Sequence, residues 1–414
     1  MKGLFTQLRL LLPALLLTGL FQTQAQDQGF IYGTVITDDG EEYTGPIRWG
    51  DEEVYWSDMF NASKRENKNI DYLSSEELDN LKDRRSDNNV VTRLVSISWD
   101  WDDDFEFVHE FSTAFGNIKS IEVRGSERVE LELKNSKKLY LDGSGYNDVG
   151  AKISVIDHEI GRVTLSWRDV EFVEFKPTPK KLNSKFGEPM YGTVKCDIGE
   201  FTGYVQWDHD ERLGSDELDG DTRDADVSIP FDKIRSIERD GYSRSLVVLK
   251  SGKELELRGS NDVNDENRGI IVNVDGLGRV DIDWDEFDMV TFSDAPDSGQ
   301  DYNSYAMPEL IRGTVLVDNG DKHEGEIIYD LDEEYTIEVL NGEDDDTKFI
   351  IPFMYIKEIK PRYSDSSEIT LKSGDKLVLE DAQDVGEDNT GILIKTKDGR
   401  IYVPWDRVEK VTFN

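Results

Sequence analysis

The sequence predicts an all-β protein. Three observations carry that prediction. Apolar residues alternate with charged ones over short runs, Gly-centred turns separate the runs, and one closing phrase is written three times. The phrase reads VTLSWRDVEFVEF from Val163 to Phe175, VDIDWDEFDMVTF from Val280 to Phe292, and IYVPWDRVEKVTF from Ile401 to Phe413. Alternation at period two is what a strand with one buried face requires.

The elements follow in chain order. Residues 1–25 read as an export signal: Lys2 and Arg9 form a positive region, LRLLLPALLLTGLF a short apolar stretch, and TQAQ a cleavage site after Ala25. The stretch is short for a membrane span, no second apolar segment follows, and no Cys stands at the cleavage site, which disfavours a lipoprotein. The expected location is therefore periplasmic or extracellular.

The mature chain reads as three tandem copies: residues 27–176, 189–293 and 309–414. YGTVITDDGEEYTGPIRW (Tyr32–Trp49) matches YGTVKCDIGEFTGYVQW (Tyr191–Trp207) and RGTVLVDNGDKHEGEIIY (Arg312–Tyr329). Gly33, Gly192 and Gly313 open the copies; Trp167, Trp284 and Trp405 close them. The first copy is longer by roughly 40 residues, an insertion placed at about 51–110. Within it, SSEELDNLKDRR (Ser74–Arg85) predicts one short helix, with Ser at its start and basic residues at its end. The connections Lys176–Pro189 and Ser293–Pro308, rich in Pro, Ser, Asp and Lys, read as irregular linkers.

Each copy divides into two related halves. Both end in an aromatic followed by branched apolar residues three and six positions later, often after Pro, as at Pro230–Phe231, Pro352–Phe353 and Pro404–Trp405. That spacing predicts a single 3₁₀ turn leading into a last strand. A long Gly-centred first hairpin and this closing turn resemble small SH3-like or Sm-like barrels, and the PRC-barrel group has similar closings. The resemblance covers most of residues 30–414 as up to six half-units. It implies two five-stranded barrels per copy and a role in binding or assembly more often than catalysis. The alternative fold is one eight-to-ten-stranded sandwich per copy.

The chain of 414 residues carries 48 basic and 88 acidic side chains, a net charge of −40. Loss of Lys2 and Arg9 with the signal takes this from −40 to −42. Nucleic acid and anionic membrane surfaces are polyanions, so neither is an expected partner. Sm-type RNA contacts do not carry over, since the basic and aromatic loops they need are absent. Cys196, the one cysteine, sits at an alternating strand position and reads as a buried core residue.

Candidate functional residues fall into three sets. Trp49, Trp167, Trp207, Trp284, Tyr329 and Trp405 occupy matching positions and are expected to build the core. Trp56, Trp99 and Trp101 fall in the insertion and are candidates for contact with a glycan or protein. NDVNDENRG (Asn261–Gly269) recurs as AQDVGEDNTG (Ala382–Gly391); its Asp262, Asn264, Asp265 and Asn267 are candidate calcium ligands, calcium being the one cofactor considered. The competing reading of that stretch is an Asx-rich turn.

Catalytic motifs are missing from the sequence: there is no G-x-S-x-G, P-loop or H-E-x-x-H, and His109, His158, His209 and His323 are scattered. The expectation is an exported non-catalytic protein that binds or scaffolds at the bacterial cell envelope, with an envelope protein or polysaccharide as partner. The alternatives are a calcium-stabilised adhesion-type module and an envelope polysaccharide hydrolase.

Overall fold

The computed structural model of the chain describes residues 27–64, 67–87, 109–143 and 145–414. It is all-β; among the described residues there are two large antiparallel sheets, one α-helix and no closed barrel. Among the described residues no helix is long and apolar enough to cross a membrane.

The first segment supplies β1 (Tyr32–Thr37), β2 (Glu42–Trp49), β3 (Met59–Lys64), β4 (His109–Ala114), β5 (Ile118–Val123), β6 (Arg128–Leu133), β7 (Lys138–Asp142), β8 (Ile153–Asp157), β9 (Gly161–Leu165) and β10 (Val170–Phe175). These pair in the order β4-β3-β7-β6-β5-β10-β1-β2-β8-β9.

The second supplies β11 (Tyr191–Cys196), β12 (Gly199–Trp207), β13 (Glu217–Asp221), β14 (Asp226–Pro230), β15 (Ile234–Arg239), β16 (Arg244–Leu249), β17 (Glu254–Arg258), β18 (Ile270–Val274), β19 (Gly278–Ile282) and β20 (Phe287–Phe292). The third supplies β21 (Arg312–Val317), β22 (Lys322–Ile328), β23 (Val339–Asp344), β24 (Thr347–Pro352), β25 (Ile356–Pro361), β26 (Ser366–Leu371), β27 (Lys376–Glu380), β28 (Ile392–Thr396), β29 (Gly399–Val403) and β30 (Val408–Phe413). Their pairings run through the same order as the first segment, position for position. β19 then pairs with β24, which joins these two segments into one sheet.

Local sequence explains the shared path. β1, β11 and β21 lie against β10, β20 and β30 at their opening glycines. A Cβ at Gly33, Gly192 or Gly313 would stand 2.2–2.5 Å from a carbonyl oxygen of the closing strand, so only glycine fits. Five of the six expected 3₁₀ turns form, at Phe115–Asn117, Trp167–Asp169, Phe231–Lys233, Phe353–Tyr355 and Trp405–Arg407, while the chain after Trp284 makes a plain hydrogen-bonded turn instead. Each drops its aromatic into the core and releases the chain into the next strand.

The five-stranded closed barrels implied by the resemblance do not form. The first half's strands β3 and β4 join through β7 to the second half's ladder, so the halves share one continuous run of strands. The insertion is also narrower than its predicted bounds. β3 and β4 pair from Met59↔Ala114 to Lys64↔His109, as β13 pairs with β14, so the extra residues leave from the tip of this hairpin. Within them α1 (Ser75–Asp87) forms where expected, opened by a capping box. Ser74 Oγ accepts from Glu77 N at 3.3 Å, and Glu77 Oε2 accepts from Ser74 N at 2.7 Å.

The linkers are irregular but not idle. Leu182 and Phe186 of the first pack beside Phe30, Val54, Tyr55 and Leu213. The second runs back over the first segment: Ser298 Oγ accepts from Gly29 N at 2.8 Å, and Tyr302 is buried against Trp56.

Candidate functional site

Two kinds of place concentrate chemistry. The first is a carboxyl pair that occurs three times. Trp49 and Trp207 end the second strand of their segments and Tyr329 directly follows that of the third, all fully buried. Trp49 Nε1 and Trp207 Nε1 each donate at 2.9 Å, and Tyr329 Oη at 2.7 Å, to the backbone oxygens of Asp148, Asp262 and Asp384. Those aspartates begin the recurring Asp-Val dipeptide. Their side chains accept the backbone N–H of Asn61, Asp219 and Asn341 at 2.6–2.7 Å, tying each turn to a neighbouring strand. Past each ring the chain bends, and Glu53, Glu211 and Glu333 bridge back to it. A glutamate and an aspartate thus share the space beneath each aromatic.

Burial penalises charge on these carboxyls, and in each pair the aspartate raises its glutamate further. Glu211 is pushed up to about 8, first by desolvation and then by Asp262. Asp262 is pushed up to about 6 and Asp148 to about 7, again mainly by desolvation. Glu53, Glu333 and Asp384 are held well above the usual carboxylate range for the same reason. Glu211 Oε2 and Glu333 Oε2 are buried with no hydrogen-bond partner. Oxygens of Asp208, Glu211 and Asp262 lie within 4.8 Å of one another. Such a group holds a shared proton or a cation.

The calcium set read from sequence is only partly assembled. Asp262 belongs to this trio and Asp265 does not, while Asn264 and Asn267 turn their side-chain oxygens to backbone N–H groups. Asn264 Oδ1 accepts from Glu266 N at 2.8 Å and Asn267 Oδ1 from Gly269 N at 2.9 Å, which is Asx-turn chemistry. Asp265 is fixed through its own N–H, which donates to Tyr242 O at 2.8 Å. Asp208 and Glu211 follow Trp207 directly and lie far from the turn in sequence, so no local spacing pointed to them.

The six matching aromatics Trp49, Trp167, Trp207, Trp284, Tyr329 and Trp405 are all buried. Trp56 is buried too, which corrects its assignment as a contact residue. It sits in the loop before β3, outside the hairpin-tip insertion, donates to Thr178 Oγ1 at 3.0 Å and packs on Tyr302 at 4.5 Å. Its indole has no exposed face for a partner. Trp99 and Trp101 lie outside the described residues.

The second place is where the three segments meet. Asp58 Oδ2 accepts the N–H groups of Val54 and Tyr55, both at 2.8 Å. Its other oxygen takes Arg212 of the second segment, Nη2 at 2.8 Å and Nε at 3.2 Å. Arg212 is 0 % exposed, lies over the Tyr55 ring, and gives Nη1 to Val205 O at 2.7 Å. Asp216 and Glu338 cap their own loops in the same manner and are met by Arg48 and Lys64 of the first segment. Burial alone would lower the Lys64 ammonium, but Asp332 and Glu338 outweigh it and hold the group charged.

Beside these pairs lies a cavity of about 560 Å³, with walls from all three segments and the second linker. The sequence carried one faint signal for the junction, the shared Ser-Asp that ends EVYWSD and ERLGSD. It carried none for the cavity, because each wall comes from a different part of the chain. Comparisons with protein families, with curated proteins and with solved structures find no match.

Proposed function

We propose that this is an exported, non-catalytic protein of three tandem β units that binds or scaffolds at the bacterial cell envelope. The observation that carries the reading is the common junction. Buried ion pairs and a returning linker hold three like-built segments as one body around a cavity, which is the construction of a rigid binding scaffold. Within this reading each unit is one ten-stranded sheet folded on itself, and its kinship with SH3-like units survives in the 3₁₀ closing turns. An acidic surface suits a soluble partner-binding role and opposes polyanions.

The test is co-sedimentation of the purified mature chain with bacterial envelope fractions at physiological salt. Saturable, protein-limited sedimentation supports the reading. A folded chain that stays in the supernatant with envelopes of its own source overturns it.

A second reading is favoured by the Asp208–Glu211–Asp262 trio: a calcium-stabilised module. Thermal melts with calcium, with magnesium and with chelator at fixed ionic strength decide it. A rise in Tm specific to calcium and lost in Asp208→Asn supports this reading, and equal effects of all salts reject it.

A further inference from the structure

The junction cavity has a composition that points to a ligand class. Four tyrosines line it: Tyr191 and Tyr204 from the second segment, Tyr305 from the linker and Tyr355 from the third. Tyr191 and Tyr204 meet edge to face, with ring centres 5.2 Å apart. Met59, Met307 and Met354, half of the six methionines in the chain, complete an adaptable apolar lining.

Two carboxylates stand among these rings. Asp297 accepts from Tyr204 Oη at 2.6 Å. Asp275 lies close enough to Tyr305 and Tyr355 to add to the effect of burial in raising both phenols. One cation, Arg279, lines the cavity among the described residues, and its charge acts on Glu52, Glu53 and Asp148 of the first segment. Its Nε is buried without a hydrogen-bond partner. Tyrosine faces carry the negative side of the ring quadrupole, and the surrounding field is that of a strongly acidic chain. A volume of this size suits a small organic molecule.

We infer that the junction cavity binds a small organic cation with an apolar body, of the alkyl- or aryl-ammonium class. The tyrosines and methionines take the apolar part, and Asp275 and Asp297 face the charge. The inference rests on the reading of the protein as a binding scaffold and names a ligand class for its junction.

The test is isothermal titration of the full mature chain with three probes of one shape family: benzyltrimethylammonium, its neutral isostere neopentylbenzene, and the anion phenylacetate. The expected result is one saturable site per chain for the ammonium, about tenfold tighter than for the neutral isostere. Asp275→Asn and Tyr355→Leu should each weaken it several-fold. Asp275 is exposed, so its variant keeps the test valid if Tyr355→Leu perturbs folding. Equal affinity for the neutral probe overturns the role of charge. Preference for phenylacetate overturns the inference and assigns the cavity to Arg279. Absence of binding by all three, with envelope sedimentation intact, overturns the inference and leaves the scaffold reading standing.

Discussion

The second and third segments are joined by main chain, whereas the first is held by side chains. β19 continues into β24 through Arg279↔Ile350, Val280↔Phe349, Asp281↔Lys348 and Ile282↔Thr347, a ladder that needs only two compatible edges. The first segment has no such ladder to either neighbour among the described residues. The strand that corresponds to β19 is β9, where the first linker intervenes and Arg162 stacks over Phe186. The third segment's β29 is instead met by the insertion, with Arg400 over the ring of Tyr72 and Leu81 of α1 clustered with Leu331 and Leu393. Backbone pairing tolerates sequence drift. Attachment through buried ions does not, because each charge depends on one partner.

The difference can be broken at its strongest point. Arg212→Ala leaves Asp58 buried without its cation and should cost about 3–5 kcal/mol. Denaturant unfolding checks the size. Proteolysis at Lys176–Pro189 checks the place, since the first segment should loosen while β19–β24 stays protected. An effect below about 1 kcal/mol would show that the pair is not what holds this segment.

Three matching glycines sharpen the comparison. Gly161, Gly278 and Gly399 open β9, β19 and β29, all at positive φ, so alanine is strained at each. Only at Gly278 would a Cβ strike the next segment, 2.4 Å from Ile350 O; at the other two nothing lies within 4 Å. Gly278→Ala should therefore cost roughly 1–3 kcal/mol more than Gly161→Ala or Gly399→Ala in thermal melts. Three equal losses would remove β24 as the reason.

The carboxyl pairs give a pH-dependent prediction. The Glu211 pKa is raised in the folded chain to about 8, so the folded state binds the proton more tightly than the unfolded one. The stability this confers is full below the unfolded pKa and is lost as pH rises through about 8. Glu211→Gln should flatten the fall in Tm between about pH 5 and pH 8 at constant ionic strength. An unchanged slope would mean that overall charge repulsion sets the trend.

The smallest effect is expected at the insertion. Ser74→Ala removes the cap of α1 and should weaken that helix by about 1 kcal/mol. Hydrogen exchange of the α1 amides should quicken while the global melt stays put, because the cap is exposed and local. A matching drop in global Tm would make α1 part of the main cooperative unit.

How far the sequence could be read depended on whether a signal was local. Alternation, the opening glycines and the Pro-aromatic turns are each set by residues a few positions apart, and all appear in the fold. The start of α1 is legible as the Ser that opens SSEELDNLKDRR, and its partner Glu77 emerges in the structure. The misreadings concern distance. Trp56 looked like part of a unique insertion because its cover, Tyr302, lies at a far point in the chain. The sequence groups Asp262 with its neighbours in a calcium turn, yet its carboxyl lies with those of Asp208 and Glu211. Each half has enough strands for a closed barrel, but the contact of β3 with β7 crosses between halves. The junction cavity left no periodic trace.

The returning linker has a consequence for how the chain folds. Trp56, Ile31 and Phe175 belong to the first segment's core, yet Tyr302, Tyr335 and Ile337 belong to it as well. The first segment to be synthesised therefore does not finish its interior until the chain has been made as far as Ile337. Folding in simple N-to-C order is closed to it: the segment made first waits for residues of the second linker and the third segment.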